Sequence, residues 1–434
     1  MEVIFTGLRK SGQYDLEAVE MATRAASHQL GAKVLERLLS APAEFELTVA
    51  CDCGHPARFH QMRTKQVLTV LGWIAIERPY YVCPHCHAGR SPRDRELDVE
   101  GVACSPGVRR MMAVVGSEAS FQQGREHLDL LAGIEVPTKA VERHAEAIGA
   151  DIEAREQAAI QQAKQLELPA VCVPAVPLLY IEMDGTGIPM VKAETEGRAG
   201  KVEGHPAHTR EVKLGCVFTQ TTTDAEGRPV RDEDSTSYVG AIESAELFGL
   251  RLYTEAWRRG WSRAQKKVVL GDGAVWIWNL ADQHFPSAIQ IVDLYHARQH
   301  LWELSAKLFP GDDKARKRWL ARCLERLEKG QIEALGNLLG QLRPASEELA
   351  KSIRNEAEYF ARNAERMRYP AFRAQGLFVG SGVVEAGCKT VIGARLKCSG
   401  MFWTVRGANA IIALRCCRLS RRFEDYWADR SSAA

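Results

Sequence analysis

Residues 178–187, LLYIEMDGTG, constrain the fold more than any other stretch of the chain. An apolar run leads into Asp184 and is followed by Gly-Thr-Gly, which is typical of a buried strand that ends at a carboxylate before a turn. The same arrangement recurs in residues 267–273, KVVLGDG, where Asp272 follows a short apolar strand. A third carboxylate, Glu385, lies in the run VGSGVVEAGCK, just after Gly-Ser-Gly. We therefore expect two aspartates at strand ends and one glutamate in the first turn of a helix.

These three carboxylates predict a magnesium site. If the two strands are parallel neighbours, Asp184 and Asp272 emerge at the same edge of the sheet. Ser381 is a candidate N-cap, which would place Glu385 near a positive helix end. Clustered carboxylates repel each other unless cations intervene, and Mg²⁺ or Mn²⁺ accepts such oxygen ligands. Two ions about 3.5–4 Å apart would activate a water or a 3′-hydroxyl and stabilise the leaving oxygen. Asp before Gly is also ordinary turn chemistry, so only the combination indicates a site.

The element order predicts a mixed α/β sheet. Three strands that can form a meander are followed by alternating helices and strands, the order of a ribonuclease H-like core. The predicted elements are strands 178–183, 211–219 and 235–240, helix 243–259, strand 267–271, helix 274–283, strand 288–292 and helix 294–308. Residues 309–375 are charged and helical in pattern, which predicts a helical insertion between Asp272 and Glu385.

Four of the twelve cysteines form two close pairs. They are Cys51, Cys53, Cys83 and Cys86. A β-hairpin with strands at 67–76 and 78–82 joins the pairs, so we expect a zinc ribbon in which four thiolates complete the tetrahedron of a structural Zn²⁺. His55, His85 or His87 could replace a thiolate, and unliganded surface cysteines are the alternative.

The segments before the sheet are predicted to be helical. Asp15 can cap a helix that carries Leu16, Leu30, Leu38 and Leu39 on one face, suited to packing or self-association. Residues 105–150 have the helix, glycine turn, helix pattern of a helix-turn-helix, and a plain helical hairpin fits equally well. On its last helix Thr138, Lys139, Arg143 and His144 would face a DNA major groove.

The resulting division of the chain has seven parts. They are an N-terminal helical segment (1–45), the zinc ribbon (46–104), a helix-turn-helix-like region (105–166), a Pro-rich linker (167–177), the sheet domain (178–308), its helical insertion (309–375), and a return to the core with the Glu385 helix and a basic tail (376–434).

The C-terminal tail is basic, although the net charge of the chain is only +2. Between residues 386 and 422 there are eight Lys or Arg and no Asp or Glu, which suits a polyanion beside the carboxylates. The candidate DNA contacts here are Lys389, Arg395, Lys397, Trp403, Arg406, Arg418, Arg421 and Arg422. For Trp403 a place in the core is the alternative. No apolar run of transmembrane length and no signal pattern is present, so a cytoplasmic location is expected.

Four motifs in order give a resemblance to a known family. They are MDGTG (183–187), GDGA (271–274), DLYH (293–296) and GSGVVEAGCK (380–389), preceded by the cysteine pairs. Their joint order resembles bacterial insertion-sequence transposases of the ISKra type, DDE enzymes with a ribonuclease H-like core akin to the Mutator-type group. The resemblance covers nearly the whole chain.

The resemblance implies an activity and roles for particular residues. Asp184, Asp272 and Glu385 would be the catalytic triad, and Asp293 and His296 would match a D-x-x-H element of the Mutator-type group. His296 would bond near the site, bind substrate or simply lie in the core, and Asp293 is the second choice for the second carboxylate. The implied reaction is metal-dependent cleavage at the terminal inverted repeats and joining to double-stranded target DNA, by a homo-oligomer that pairs two ends.

Two other functions remain open from the sequence. A structure-specific nuclease of the same fold would cleave DNA without joining it to a target. A non-catalytic DNA-binding regulator would keep the fold and lose metal-dependent cleavage. The chain has no GKS/T phosphate loop and no HExxH motif, so the sequence gives no support for an ATPase or a metalloprotease.

Overall fold

The structure, a computed structural model, describes residues 9–10, 13–40, 44–168, 175–200 and 205–432. Most of the predicted linker, residues 169–174, lies outside the described residues. The chain divides into two compact units, one made of Met1–Ile148 with Glu424–Ala434 and the other of Gly149–Phe423.

The first unit contains a four-stranded antiparallel sheet in the order β3-β4-β5-β6. After a short strand pair, β1 (Arg9–Lys10) and β2 (Gln13–Tyr14), the sheet strands are β3 (Thr48–Ala50), β4 (Pro56–Thr69), β5 (Gly72–Val82) and β6 (Gly89–Arg90). The strand predicted over 67–76 is wrong, because the chain turns between Thr69 and Gly72. The Thr69 hydroxyl donates to the Gly72 carbonyl at 2.8 Å, and Gly72 has a positive φ of 110°, so this pair closes a two-residue hairpin loop.

Five α-helices begin in the described part of this unit. They are α1 (Leu16–Leu39), α2 (Pro92–Glu96), α3 (Pro106–Glu118), α4 (Phe121–His127) and α5 (Thr138–Lys164), the last of which continues into the second unit. Asp15 caps α1 as predicted, accepting from the backbone N–H of Ala18. Most of the predicted apolar face of α1 is not packed, since Leu16, Leu30 and Leu38 are each about 70% exposed. The buried contact of α1 with the sheet runs through Ala32, with Leu35 and Leu39 partly buried beside it, so of the predicted face Leu39 does pack.

The second unit is built on a five-stranded mixed sheet in the order β11-β8-β7-β12-β13. Its strands are β7 (Leu178–Pro189), β8 (Thr209–Gln220), β11 (Ser237–Ala241), β12 (Lys266–Gly271) and β13 (Ile289–Val292), with a small hairpin of β9 (Thr222–Thr223) and β10 (Pro229–Val230). The first three sheet strands form an antiparallel meander, and β7, β12 and β13 are mutually parallel neighbours. The predicted α/β class and order of elements are confirmed.

One predicted strand end is wrong. β7 does not stop at residue 183 but continues to Pro189, because its antiparallel partner β8 pairs with it from Leu178 to Pro189 without interruption. On the other side the parallel partner β12 ends at Gly271, opposite Met183. Asp184 therefore lies in the middle of a strand and at the point where its parallel pairing ends.

Helices account for the rest of this unit. They are α6 (Ala245–Arg258), α7 (Val275–His284), α8 (Leu294–Leu308), α9 (Asp313–Glu328), α10 (Ile332–Gly340), α11 (Glu347–Arg362), α12 (Tyr369–Ala374), α13 (Gly382–Gly387), α14 (Ala394–Leu396) and α15 (Val405–Leu419). The last helix, α16 (Phe423–Ser432), belongs to the first unit from Glu424 onward. The bounds of α8 agree with the sequence prediction, and residues 309–375 are helical as expected. In the part of the chain that the structure describes, no helix combines the length and the apolar character needed to cross a membrane.

Candidate active site

The parallel strands bring three aspartates to one edge of the sheet. Gly271 pairs with Met183 on one side and with Val292 on the other, so the residues that follow are Asp184, Asp272 and Asp293 on three adjacent strands. The carboxyl ends of parallel strands are a common place for ligands. The expectation that the strands of Asp184 and Asp272 are parallel neighbours is thus confirmed.

Asp293 is completely buried and its carboxylate is fully engaged. Oδ1 accepts from the backbone N–H of His296 at 2.6 Å, which caps α8. Oδ2 accepts from the backbone N–H of Ser381 and from its hydroxyl, the latter at 2.7 Å. Three donors on one buried carboxylate tie the start of α8 to the turn before α13. This supports a structural role for Asp293 and keeps Asp272 as the expected second carboxylate of the candidate site.

We expect Asp293→Asn to lower the free energy of unfolding by about 1–3 kcal/mol, because its amide nitrogen cannot accept from Ser381 and leaves buried donors unsatisfied. Urea unfolding measures this change. Asp312→Asn is the matched control, since Asp312 caps α9 through a single exposed bond from Ala315 and Asn caps helices equally well. Equal stability losses in both variants would contradict the assigned role of Asp293.

Glu385 lies on α13, exposed, with one oxygen 3.3 Å from the Ser381 hydroxyl. Ser381 occupies the N-cap position but makes no capping bond with its side chain, so the predicted cap is wrong in that respect. Its hydroxyl is within reach of both Asp293 and Glu385 instead. Ser381 therefore links the glutamate helix to the sheet edge.

Asp184 and Asp272 are both half-buried. Burial raises the pKa of Asp184, and the negative charge of Asp272 raises it further, while bonds from the Cys388 thiol and the Gly185 N–H oppose the rise. Asp272 accepts from the backbone N–H of Ala274 at 2.8 Å. Burial, the main cause of this rise, and the charge of Asp272 both disfavour the ionised form of Asp184, and a bound cation would oppose both effects.

Glu182 is a site residue that the sequence analysis did not single out. It precedes Asp184 by two residues, so both side chains lie on the same face of β7. It is fully buried, and burial raises its pKa to about 8, helped by the charges of Asp293 and Glu385. The backbone N–H of Val384 donates to it at 2.8 Å. The sequence does contain a signal that could have identified Glu182, namely a lone carboxylate inside an otherwise apolar strand.

The carboxylates do not form a closed ligand cage. Within the described ranges, groups of three or more metal-ligating side chains with all donor atoms within 4.8 Å of one another occur only around the paired cysteines. Mg²⁺ keeps several waters and takes few protein oxygens, so an open edge with half-buried Asp184 and Asp272 and exposed Glu385 still suits it.

The four paired cysteines form a candidate structural metal centre in the first unit. The Sγ atoms of Cys51 and Cys86 lie 3.6 Å apart, as do those of Cys53 and Cys83. A tetrahedron with Zn–S bonds of about 2.3 Å has edges of roughly 3.8 Å, so these four sulfurs could hold a metal such as zinc. Backbone N–H groups of Cys86 and His85 lower the pKa of Cys83 to about 6, which favours its thiolate, whereas burial and the neighbouring thiols raise the pKa of Cys53.

Histidines border the same cluster. Nδ1 of His55 lies 3.7 Å from the Cys53 sulfur, and the His55 ring stacks on that of His85 with 3.9 Å between centroids. Cys53, His55 and His85 make a second donor group that shares one thiol with the first. Because all four cysteines already lie together, replacement of a thiolate by His55 or His85 is not needed to complete the centre.

The predicted contacts on the last helix of the helix-turn-helix-like region divide by exposure. Lys139 is exposed and pairs with Glu142 at 2.5 Å, and Arg143 is exposed. His144 is buried, and desolvation together with Arg143 and Arg109 lowers its pKa to about 4. An uncharged, buried His144 is unable to face a major groove, so that part of the prediction is wrong.

The basic tail also contains buried members. Arg395 is 1% exposed and lies over the ring of Trp403, itself 6% exposed, at 5.1 Å. Arg422 pairs with buried Glu255 at 2.5 Å, and Arg421 pairs with Asp234. Because Arg395 and Trp403 are buried, neither side chain can stack on a base or contact a phosphate. Both are therefore removed from the candidate DNA contacts. Exposed or partly exposed cations remain at Lys389, Lys397, Arg406 and Arg418.

In comparisons with known proteins, no family model matches this chain and no curated protein matches it.

Proposed function

We propose that this chain is a DDE transposase of an insertion sequence, with a ribonuclease H-like catalytic core. The observation that carries the proposal is the register of three parallel strands, which sets Asp184 beside Asp272 while Ser381 connects the Glu385 helix to the same edge. Two adjacent half-buried carboxylates with an exposed third are the acidic groups that metal-assisted phosphodiester chemistry requires.

The sheet supports the fold part of the proposal. A three-stranded antiparallel meander is followed by two parallel strands, each reached through a helix, in the order β11-β8-β7-β12-β13. This is the order of elements that the family resemblance implies for the core. The helical residues 309–375 then separate Asp272 from Glu385, as the resemblance also implies.

Asp184, Asp272 and Glu385 are the residues that would hold magnesium. When bound there, Mg²⁺ would lower the pKa of a nucleophilic water and stabilise the charge on the leaving oxygen. Neighbouring protein groups orient these three carboxylates. Gly185 N–H orients one oxygen of Asp184, Ala274 N–H orients one of Asp272, and the Ser381 hydroxyl lies against Glu385. The Tyr359 hydroxyl donates to the Asp272 carbonyl at 3.0 Å and fixes the turn after β12.

The first unit supplies the DNA-binding part of the proposal. Zinc in the four-cysteine centre would stabilise the end of a ribbon, and exposed Lys139 and Arg143 on α5 would contact the element ends. The substrate is double-stranded DNA, and pairing of two element ends requires a homo-oligomer.

We expect Lys389→Gln combined with Arg406→Gln to weaken binding to all DNA sequences and to reduce the salt slope of binding by about 1.8, since each lost phosphate contact removes about 0.9. Both side chains are exposed and follow the glutamate helix in the chain. Titrations at several salt concentrations measure the slope. The matched control is Arg343→Gln with Lys351→Gln, two exposed cations of the helical insertion. An unchanged slope in the first pair would contradict a phosphate contact there.

The test of the function is incubation with DNA that carries the flanking inverted repeats, with and without magnesium. A transposase gives cleavage at the repeat ends and joined products with a target DNA. Cleavage without joined products would favour a structure-specific nuclease. Specific binding without any metal-dependent cleavage would favour a DNA-binding regulator.

A further inference from the structure

A chain of three side chains leads from the helical insertion to the carboxylate edge. Nδ1 of His300 lies 2.7 Å from Oε2 of Glu356, and Nε2 of His300 lies 3.2 Å from Nε2 of His296. The two histidines are four residues apart on α8 and so share a face, while Glu356 comes from α11. The ring of His300 stacks on Tyr359, with 4.0 Å between centroids and 14° between planes, which fixes its orientation.

When both rings are neutral, the chemistry of these groups fixes the direction of both hydrogen bonds. A carboxylate only accepts, so Glu356 receives the proton on Nδ1 of His300. A neutral imidazole carries one proton, so Nε2 of His300 has a lone pair and accepts from Nε2–H of His296. His296 is left with its lone pair on Nδ1. In the described parts of the chain no other side chain is hydrogen-bonded to the His296 ring. Glu356 therefore determines, through two bonds, which nitrogen of His296 is the acceptor.

The histidine pair is tied to the candidate active site at two points. The backbone N–H of His296 donates to Asp293 at 2.6 Å, and Tyr359, on which His300 stacks, donates its hydroxyl to the Asp272 carbonyl at 3.0 Å. The titratable and charged groups around the histidine pair come from the sheet edge, from the start of α8 and from the insertion. They are Asp184, Asp272, Asp293, Glu356, Tyr359 and Arg362.

We propose that Nδ1 of His296 is the general base of the hydrolytic step, with His300 and Glu356 as positioning residues that hold it in the acceptor tautomer. This inference rests on the proposed function. A water oxygen forms a bond to phosphorus while its proton passes to Nδ1. The bond from phosphorus to the 3′ oxygen breaks, and that oxygen takes a proton from solvent. Nδ1 then returns its proton to solvent before joining. In joining, the 3′-hydroxyl gives its proton to Nδ1 as its oxygen bonds to a phosphorus of the target DNA, the bond from that phosphorus to the target 3′ oxygen breaks, and this oxygen takes a proton from solvent.

The tautomers are tested directly on the full-length protein labelled with ¹⁵N-histidine. We expect His300 to carry its proton on Nδ1 and His296 on Nε2, and we expect Glu356→Gln to abolish this preference because an amide can also donate. Glu358→Gln, an exposed glutamate on the same helix, is the control and keeps the parent pattern. A proton on Nε2 of His300 in the parent would overturn the inference.

Cleavage of repeat-end DNA tests the catalytic role. We expect His296→Ala to lose about 100-fold or more of the rate and added imidazole to restore part of it, as for a missing general base. Glu356→Gln loses about 10–100-fold, the usual effect of removing a group that orients a catalytic ring. A merely structural loss would not respond to imidazole.

The outcomes separate the two proposals. A folded His296→Ala protein that imidazole does not rescue, while the parent cleaves, overturns the base and leaves the transposase proposal in place. A parent that binds the repeats and never cleaves them overturns both. A parent and an Asp184→Asn variant that cleave equally well would overturn the carboxylate site, whereas imidazole rescue of His296→Ala would still support the base.

Discussion

Replacing Asp184, Asp272 or Glu385 by its amide is expected to lower DNA cleavage and joining by about 1,000-fold or more, since a lost metal site removes several kcal/mol of transition-state stabilisation and each 1.36 kcal/mol is tenfold. Asn and Gln keep size and polarity but not the charge that holds the cation. Binding to the repeat ends should survive in all three variants, because the proposed binding residues lie elsewhere in the chain. Product formation in magnesium and in manganese, beside a binding assay, measures both.

Folding should also survive these replacements. The pKa of Asp184 is raised by burial and by Asp272, so removing either charge relieves repulsion at the sheet edge. The bonds from Gly185 and Ala274 can be accepted by an amide oxygen. Glu348→Gln, an exposed glutamate on α11, is the control for an isolated charge change. Parent-like cleavage by all three amide variants would refute the catalytic site, and a dead Asp293→Asn beside an active Asp272→Asn would move the second carboxylate to Asp293.

Local patterns were sufficient to predict the elements around this site. Apolar runs bounded by glycine or aspartate predicted β12 and β13, and helical periodicity predicted α8. The end of β7 was not predictable in the same way. The residues after Asp184 look like a turn locally, and only their pairing with Thr209 and its neighbours on β8 makes them a strand. Pairing between distant segments decided the structure there, as it often does in sheets.

The role of individual polar residues was harder to predict than the fold. The charge pattern predicted that Arg395 lies on the surface, yet it is buried against Trp403. The apolar stem of an arginine can be buried by packing, and its planar guanidinium can stack on an aromatic ring. Ser381 was expected to cap a helix and instead contacts two carboxylates from different elements. The contact between His300 and Glu356 was not predicted, because no local sequence motif contains both residues and their contact depends on how α11 packs against α8. Each of these outcomes depends on tertiary contacts that the sequence pattern does not contain.

The second large effect is expected at the cysteine cluster. We expect Cys83→Ser with Cys86→Ser to abolish binding of one zinc per chain and to unfold the nearby end of the four-stranded sheet. Among the described residues, the buried core at this end consists of Cys51, Ala57, Tyr81 and Cys83, with Val49 and Phe59 partly buried against it, which is too little apolar surface to order it alone. Structural zinc in small domains contributes apparent binding energies of about 10–16 kcal/mol, which far exceeds what such a core supplies.

The loss should be confined to one end of the sheet. The opposite ends of β4 and β5 have their own core, in which Val67, Ile74 and Ile76 pack against Ala32 of α1. Hydrogen exchange should therefore lose protection around residues 48–59 and 80–90 and keep it around 67–76, because opening is local when cores are separate. Cys398→Ser, at an exposed cysteine outside the cluster, is the control and should retain the metal. Purified parent protein that contains no zinc by elemental analysis, or a double variant whose protection is unchanged throughout, would show that the four thiols lie together without holding a structural metal.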